Sequence, residues 1–137
     1  MSTPSRRLSD VSVGEALPPL AIPITTSLVV GAALASRDFT PVHHDRAAAR
    51  AAGLQDVFMN ILTTNGLVGR YVTDWAGPDA VVRNLSIRLG APNLPGDTMT
   101  FSGTVAALEG DEVSVAIRGA NSWGDHVTGT VRVALPH

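Results

Sequence analysis

From Asn84 onward, apolar and polar residues alternate with a period of two. Leu85, Ile87 and Leu89 alternate with Asn84, Ser86 and Arg88. Met99, Phe101, Gly103 and Val105 alternate with Thr98, Thr100, Ser102 and Thr104, and Val113, Val115 and Ile117 alternate with Ser114 and Arg118. Val127, Val131, Val133 and Leu135 alternate with Thr128, Thr130 and Arg132. Successive side chains of a strand point to opposite faces, so each run predicts a strand with one apolar face. Pro92–Asp97, Glu109-Gly110-Asp111 and Trp123-Gly124-Asp125 supply the turns between them.

The pattern before Asn84 is different. Ile61, Asn65, Val68, Val72 and Trp75 recur at near-helical spacing, with Tyr71 beside them. Asn60 is a good N-cap, and Gly77-Pro78 stops the run, so a helix is expected over Asn60–Trp75. Gly66 and Gly69 lie inside it. Interior glycine costs about 1 kcal/mol against alanine, a cost best tolerated where a sheet backbone comes very close. Thr25–Ala35 suits a buried strand, with a short helix as the alternative. Val11–Ile24 contains Pro18, Pro19 and Pro23 and reads as extended chain lying on the domain. Asp45–Ala52 reads as a turn of helix ended by Gly53. The order is one long helix followed by an antiparallel meander. Such elements pack most economically as an α+β domain with the sheet wrapped around the helix.

A chain of 137 residues fits one domain, and its 45% hydrophobic and 16% charged content suits a folded chain. Residues 1–10 are polar and expected to be flexible, leaving 11–137 as the domain. With a net charge of −2 there is no basic excess for a phosphate backbone, so nucleic acid is not an expected partner. The absence of cysteine excludes disulfides, thiolate metal sites and a cysteine nucleophile. Ser5-Arg6-Arg7-Leu8, followed by an apolar stretch ending Ala33-Leu34-Ala35, imitates an export signal. Glu15 and the prolines break the required spacing, and the apolar stretch falls short of the roughly 20 residues that span a bilayer. No membrane segment is expected, and a cytoplasmic location is.

The densest polar cluster is Arg37-Asp38-Phe39-Thr40-Pro41-Val42-His43-His44-Asp45. Asp38 and His43 sit on one short loop stiffened by Pro41, and the two side chains could converge on one water. A carboxylate and an imidazole in that position could remove a proton from water and deliver one to carbon. The plainer reading is that Asp38 caps a turn and His43 is an ordinary polar loop residue. A metal site is disfavoured, because adjacent histidines rarely ligate one ion and no third ligand is spaced for it. No nucleophile elbow, P-loop or dinucleotide-binding glycine fingerprint is present. His126 reads as structural or as a pocket rim, and Trp75 and Trp123 as core or interface. Arg70, Arg83, Arg88 and Arg118 are surface cations that could meet phosphates of a coenzyme.

Asp38-Phe39-Thr40-Pro41-Val42-His43 followed by Asp45 resembles the hydratase motif of the MaoC-like (R)-specific enoyl-CoA hydratases, Asp-x-Asn-Pro-aliphatic-His-x-Asp. Val13-Gly14-Glu15 and Leu17–Leu20 resemble that family's opening. Val57–Leu62, Gly66–Gly69 and Arg70–Pro78 carry a narrower resemblance, continued by Arg88-Leu89-Gly90, Asp97–Gly103 and Gly124–Val127. These runs are similar to the small catalytic subunits of heteromeric steroid side-chain hydratases of actinobacteria. The resemblance implies a single hot-dog fold and a second MaoC-like subunit in a heterotetramer, with a homodimer as the alternative. It implies an acyl-CoA substrate and no cofactor or metal. It makes Asp38 and His43 the catalytic pair, and it places an oxyanion-stabilising backbone N–H near Asn60. Two positions depart from the family pattern: Thr40 replaces the motif asparagine, and Met59-Asn60 replaces a common His-Gly. A hot-dog thioesterase and a non-catalytic pairing subunit are the competing functions.

Overall fold

The computed structural model describes residues 4–137. Its elements are β1 (Ala16–Pro23), α1 (Thr26–Ala35), α2 (Arg46–Ala51), α3 (Ile61–Ala76), β2 (Val81–Leu89), β3 (Thr98–Glu109), β4 (Glu112–Asn121) and β5 (Gly124–Ala134). The five strands form one antiparallel sheet in the order β1-β3-β4-β5-β2. All four runs of alternating residues are strands; β3, β4 and β5 bury their large apolar positions in these runs, while in β2 Leu85 and Ile87 are half-buried and Leu89 is exposed. Met99, Phe101 and Val105 of β3, Val113, Val115 and Ile117 of β4, and Val127, Val131 and Val133 of β5 are buried. They share one core with Val68, Tyr71, Val72 and Trp75 of α3. The sheet thus folds around the long helix, as expected of a hot-dog domain.

Three sequence expectations change. The stretch at Thr25–Ala35 is helix α1. It is apolar on every side, so it carries no period to separate helix from strand. Its ends decide: Thr25 accepts a hydrogen bond from the Leu28 amide at 3.0 Å, and Ser36 closes the other end. The extended chain before it is more than a surface segment. Its residues 16–23 form edge strand β1, paired with β3 and irregular between Leu17 and Leu20, where Pro18 and Pro19 fall. Proline lacks a backbone donor and is confined to edges and bulges. Finally, no sheet backbone presses on the helical glycines. A methyl group at Gly66 would meet nothing within 4 Å, and one at Gly69 only Leu85 Cδ1 at 4.0 Å.

Residues 1–3 of the expected flexible start lie outside the described residues. Arg6 is packed 4.8 Å over the Trp75 ring and paired with Glu15 at 2.8 Å. The Trp75 indole N–H donates to the same carboxylate at 3.1 Å. The Leu8 amide donates to Pro136 O at 2.8 Å. These contacts tie the start of the described chain to the C-terminal end of α3 and to the chain's last residues.

Trp75 belongs to the core, whereas Trp123, in the β4–β5 turn, is 59% exposed. His126 is 3% exposed. Its Nδ1 lies 2.7 Å from Ala91 O, a pure acceptor, so Nδ1 carries the proton. Nε2 accepts from the Thr64 hydroxyl at 2.8 Å. This neutral ring joins β5 to the first turn of α3, and burial holds its pKa below the ordinary histidine range, outweighing the Ala91 hydrogen bond. The unfolded chain therefore binds the proton more readily. Stability from this site is fully present above about pH 6.5 and drains away as pH falls below it toward the lowered folded value. Thermal melts from pH 7.5 to 5 should show wild type losing more stability than His126→Gln; parallel losses would contradict the assignment.

Candidate active site

The loop carrying Asp38 and His43 is built by the way α1 ends. Ser36 is the C-cap, and Arg37 follows with φ 58°. The Arg37 amide donates to Leu34 O at 3.0 Å, and the Asp38 amide to Ala33 O at 2.9 Å. This paired closure is a Schellman motif, here with a left-handed arginine where glycine is usual. It reverses the chain and sets Asp38 directly beyond the helix end.

Asp38 then organises the next turn. Its Oδ1 accepts from the Thr40 amide at 3.2 Å. Pro41 opens a 3-10 turn over Pro41–His43, with its φ already set for that geometry. Asp45, the last residue of the motif, has a separate task. Its carboxylate caps α2 by accepting from the amides of Ala47 and Ala48 at 2.9 and 3.2 Å. His44 turns outward, with Nε2 3.2 Å from Phe39 O.

The fold brings His43 and Asp38 together. His43 is 8% exposed, its ring edge-on to Phe58 with centroids 4.6 Å apart. Its Nδ1 lies 2.7 Å from Phe58 O. A carbonyl oxygen only accepts, so Nδ1 holds a proton, and in the neutral form of the ring Nε2 is the free lone pair. That lone pair faces Asp38 Oδ2 at 3.4 Å. Hydrogen bonds from Thr40 first, and then from Asn60, hold the Asp38 carboxyl below the usual carboxylate range, with a smaller contribution from His43. Asp38 is therefore ionised at neutral pH. Protonated, the ring pairs with the carboxylate, the state in which its charge helps to lower the Asp38 pKa; neutral, it leaves Nε2 and Oδ2 as two acceptors facing one another. A water molecule, with two hydrogens to donate, satisfies both.

Asn60 stands behind Asp38. It is 1% exposed and N-caps α3 as expected, its Oδ1 accepting from the Thr63 amide at 3.1 Å and from the Thr63 hydroxyl. Its Nδ2 donates to Ser36 Oγ at 3.0 Å and to Asp38 Oδ2 at 3.1 Å. The sequence offered no sign of this side-chain link, which joins positions 22 residues apart. Nor did it mark Phe58 O as the group that fixes the His43 tautomer. Thr63 has its amide occupied by the cap, while Ile61 and Leu62 at the head of α3 are 49% and 50% exposed. First-turn amides have no acceptor within the helix.

Two apolar side chains near Asp38 in the chain are exposed, Leu34 at 47% and Phe39 at 64%. Two cavities lie away from this loop. One of about 200 Å³ is lined by Pro18, Pro19, Leu20, Tyr71, Asp74 and Trp75, near the far end of α3. Another, of about 180 Å³, is lined by Arg88, Leu89, Gly90, Asp125 and Thr128. Of the four arginines, Arg70 pairs with Asp74, Arg83 with Asp111 and Arg118 with Asp125.

Comparison with known proteins agrees with this architecture. Residues 11–121 match the MaoC-like domain. The chain is 50% identical over 123 residues to the 3-oxo-4,17-pregnadiene-20-carboxyl-CoA hydratase beta subunit of Mycobacterium tuberculosis, covering 90% of this chain and 95% of that one. It superposes with a TM-score of 0.89 on a chain of the ChsH1-ChsH2 complex from the same organism, at 49% identity, covering 90% of this chain and 98% of that one. The (R)-hydratase of A. caviae involved in PHA biosynthesis has the same fold, with a TM-score of 0.84 at 24% identity, covering 92% of this chain and 98% of that one. The domain match spans most of the sequence, and half of the aligned residues are shared with a named hydratase subunit: the chain belongs to the MaoC-like domain family.

Proposed function

We propose that this chain is the catalytic subunit of an enoyl-CoA hydratase, adding water across the 2,3-double bond of a steroid side-chain enoyl-CoA. The observation that carries the proposal is His43 Nε2 facing the Asp38 carboxylate at 3.4 Å, with Nδ1 turned to Phe58 O. One bound water donates a hydrogen to each. His43 Nε2 takes a proton as the water oxygen bonds to the β carbon, and the π electrons move toward the thioester oxygen. Asp38 orients the water and stabilises the imidazolium. The imidazolium then returns its proton to the α carbon, giving the 3-hydroxyacyl-CoA and restoring neutral His43. The negative charge on the thioester oxygen is met by a backbone N–H at the head of α3, in the stretch from Asn60 to Leu62, with help from the helix dipole.

The acyl group is placed by analogy with the pregnadiene-carboxyl-CoA hydratase subunit, half of whose aligned residues recur here. The partner is a second MaoC-like subunit in a heterotetramer. Its need is argued from the exposed apolar side chains beside the loop and at the head of α3, Leu34, Phe39, Ile61 and Leu62. Coenzyme A thioesters place the work in the cytoplasm, and the chemistry calls for no metal or cofactor.

The test is an assay of a steroid enoyl-CoA and a short linear enoyl-CoA, with and without a co-expressed MaoC-like neighbour. Loss of the conjugated enoyl absorbance without thiol release is expected, with the steroid substrate favoured only when the partner is present. Thiol release in step with substrate loss would make the protein a thioesterase instead. A fully active monomer would remove the partner from the account.

A further inference from the structure

We infer that Asn60 is a positioning residue for hydration: its side-chain amide ties Asp38 to the head of α3 and fixes which carboxylate oxygen faces the water. This rests on the hydratase reading above. The amide's orientation follows from its surroundings. The Thr63 backbone N–H can only donate, so the Asn60 atom 3.1 Å from it is the oxygen. The nitrogen therefore points at Ser36 Oγ and Asp38 Oδ2, 3.0 and 3.1 Å away.

Ser36 is itself committed, its hydroxyl lying 2.8 Å from Ala32 O and 3.1 Å from Ala33 O at the end of α1. Its hydrogen goes to those carbonyls, and its lone pair takes one Asn60 hydrogen. The other Asn60 hydrogen reaches Oδ2, the oxygen that faces His43 Nε2. Oδ1 is meanwhile held by the Thr40 amide. Each carboxylate oxygen thus has its own donor, one from the loop and one from the helix. The carboxylate is held from two sides, by the loop and by the head of α3, with Oδ2 kept toward its histidine. Asn60 is nearly sealed from solvent, so its work passes through Asp38.

Two substitutions separate this role from simple capping. Asp and Ser both cap helices about as well as Asn. Asn60→Asp keeps the cap acceptor but replaces the donor facing Asp38 with a second carboxylate. Asn60→Ser keeps a cap and is too short to reach Asp38. The Asp38 carboxyl should be titrated by NMR in the partnered protein without substrate, alongside the pH dependence of kcat/KM. Like charges at this separation disfavour double ionisation. Asn60→Asp should therefore raise the carboxyl titration and the acidic limb of the rate profile by at least about one pH unit. Asn60→Ser should move both in the same direction by less, with kcat reduced more than KM is changed. If Asp38 titrates as in wild type in both variants, Asn60 is only a cap and the inference is overturned, whatever the activity. A shifted titration in a protein that hydrates no enoyl-CoA would leave the bridge standing and refute the hydratase reading.

Discussion

Asp38→Asn is expected to lower kcat/KM for hydration by about 10²–10⁴-fold, the usual worth of a positioned acid–base group. The substitution changes almost nothing in shape. Its carbonyl can still accept from the Thr40 amide, which bonds Asp38 Oδ1 at 3.2 Å. What is lost is the negative charge beside His43 and one of the two acceptors that orient water. An amide nitrogen in the Oδ2 position would also meet the Asn60 nitrogen, donor against donor. His43→Ala should be at least as damaging, because it removes the group assigned to take the water's proton and return one to the α carbon. Stopped-flow or steady-state decay of the enoyl thioester absorbance gives both numbers. The melting temperature of Asp38→Asn should stay within a few degrees of wild type, since the side chain is partly solvent-exposed. Rates within tenfold of wild type for both variants would remove Asp38 and His43 from the chemistry.

Gly129→Ala should give the largest loss of stability from a single methyl group. Gly129 sits mid-strand in β5, between Ile87 of β2 and Ile117 of β4. A Cβ there would come 2.2 Å from Ser86 O and 2.9 Å from Ile87 Cα. Both are backbone atoms of the neighbouring strand and cannot rotate aside, so β2 must be pushed off the sheet edge. Overpacking of this kind costs about 1–3 kcal/mol, and lost strand pairing adds to it. For a domain of this size the expected fall in melting temperature is roughly 10 °C. Calorimetry of the variant checks it, and a change below about 2 °C would show that the sheet gives way more cheaply than its geometry allows.

The two predictions draw on features that were unequally legible in the sequence. Strands β3 to β5 were visible because each buries one face, and burial on alternate residues leaves a period of two; β2 shows the same alternation although only Leu85 and Ile87 are half-buried. The cap of α3 was visible because Asn60 precedes a periodic run. Helix α1 was not separable from a strand. Its apolar residues continue around the whole circumference although only Val29 and Ala33 are buried. The buried stripe of α3 also runs differently from the expectation. It passes through Thr64, Val68, Tyr71, Val72 and Trp75, while Ile61 is half exposed. That isoleucine follows the Asn60 cap at the head of α3, and its exposure is something periodicity cannot report.

Within the site, Asp38 and His43 were legible because they lie on one loop, and short separation in sequence limits how far apart they can be. Their partners were not. Phe58 O is contributed by backbone, which has no signature in the sequence, and Asn60 reaches Asp38 across 22 residues. Thr40 stands where the motif has asparagine. In the structure the Thr40 backbone amide holds one oxygen of Asp38, and a side-chain amide arrives from the helix head to hold the other.

The most direct check on the shared water is a double-mutant cycle for hydration, comparing Asp38→Asn, His43→Ala and the two combined. If both residues act on one solvent molecule, removing either disables the same step, and the double variant should be within about threefold of the slower single variant. Losses that multiply across the two substitutions would mean that the carboxylate and the imidazole work separately, and the proposed mechanism would be wrong.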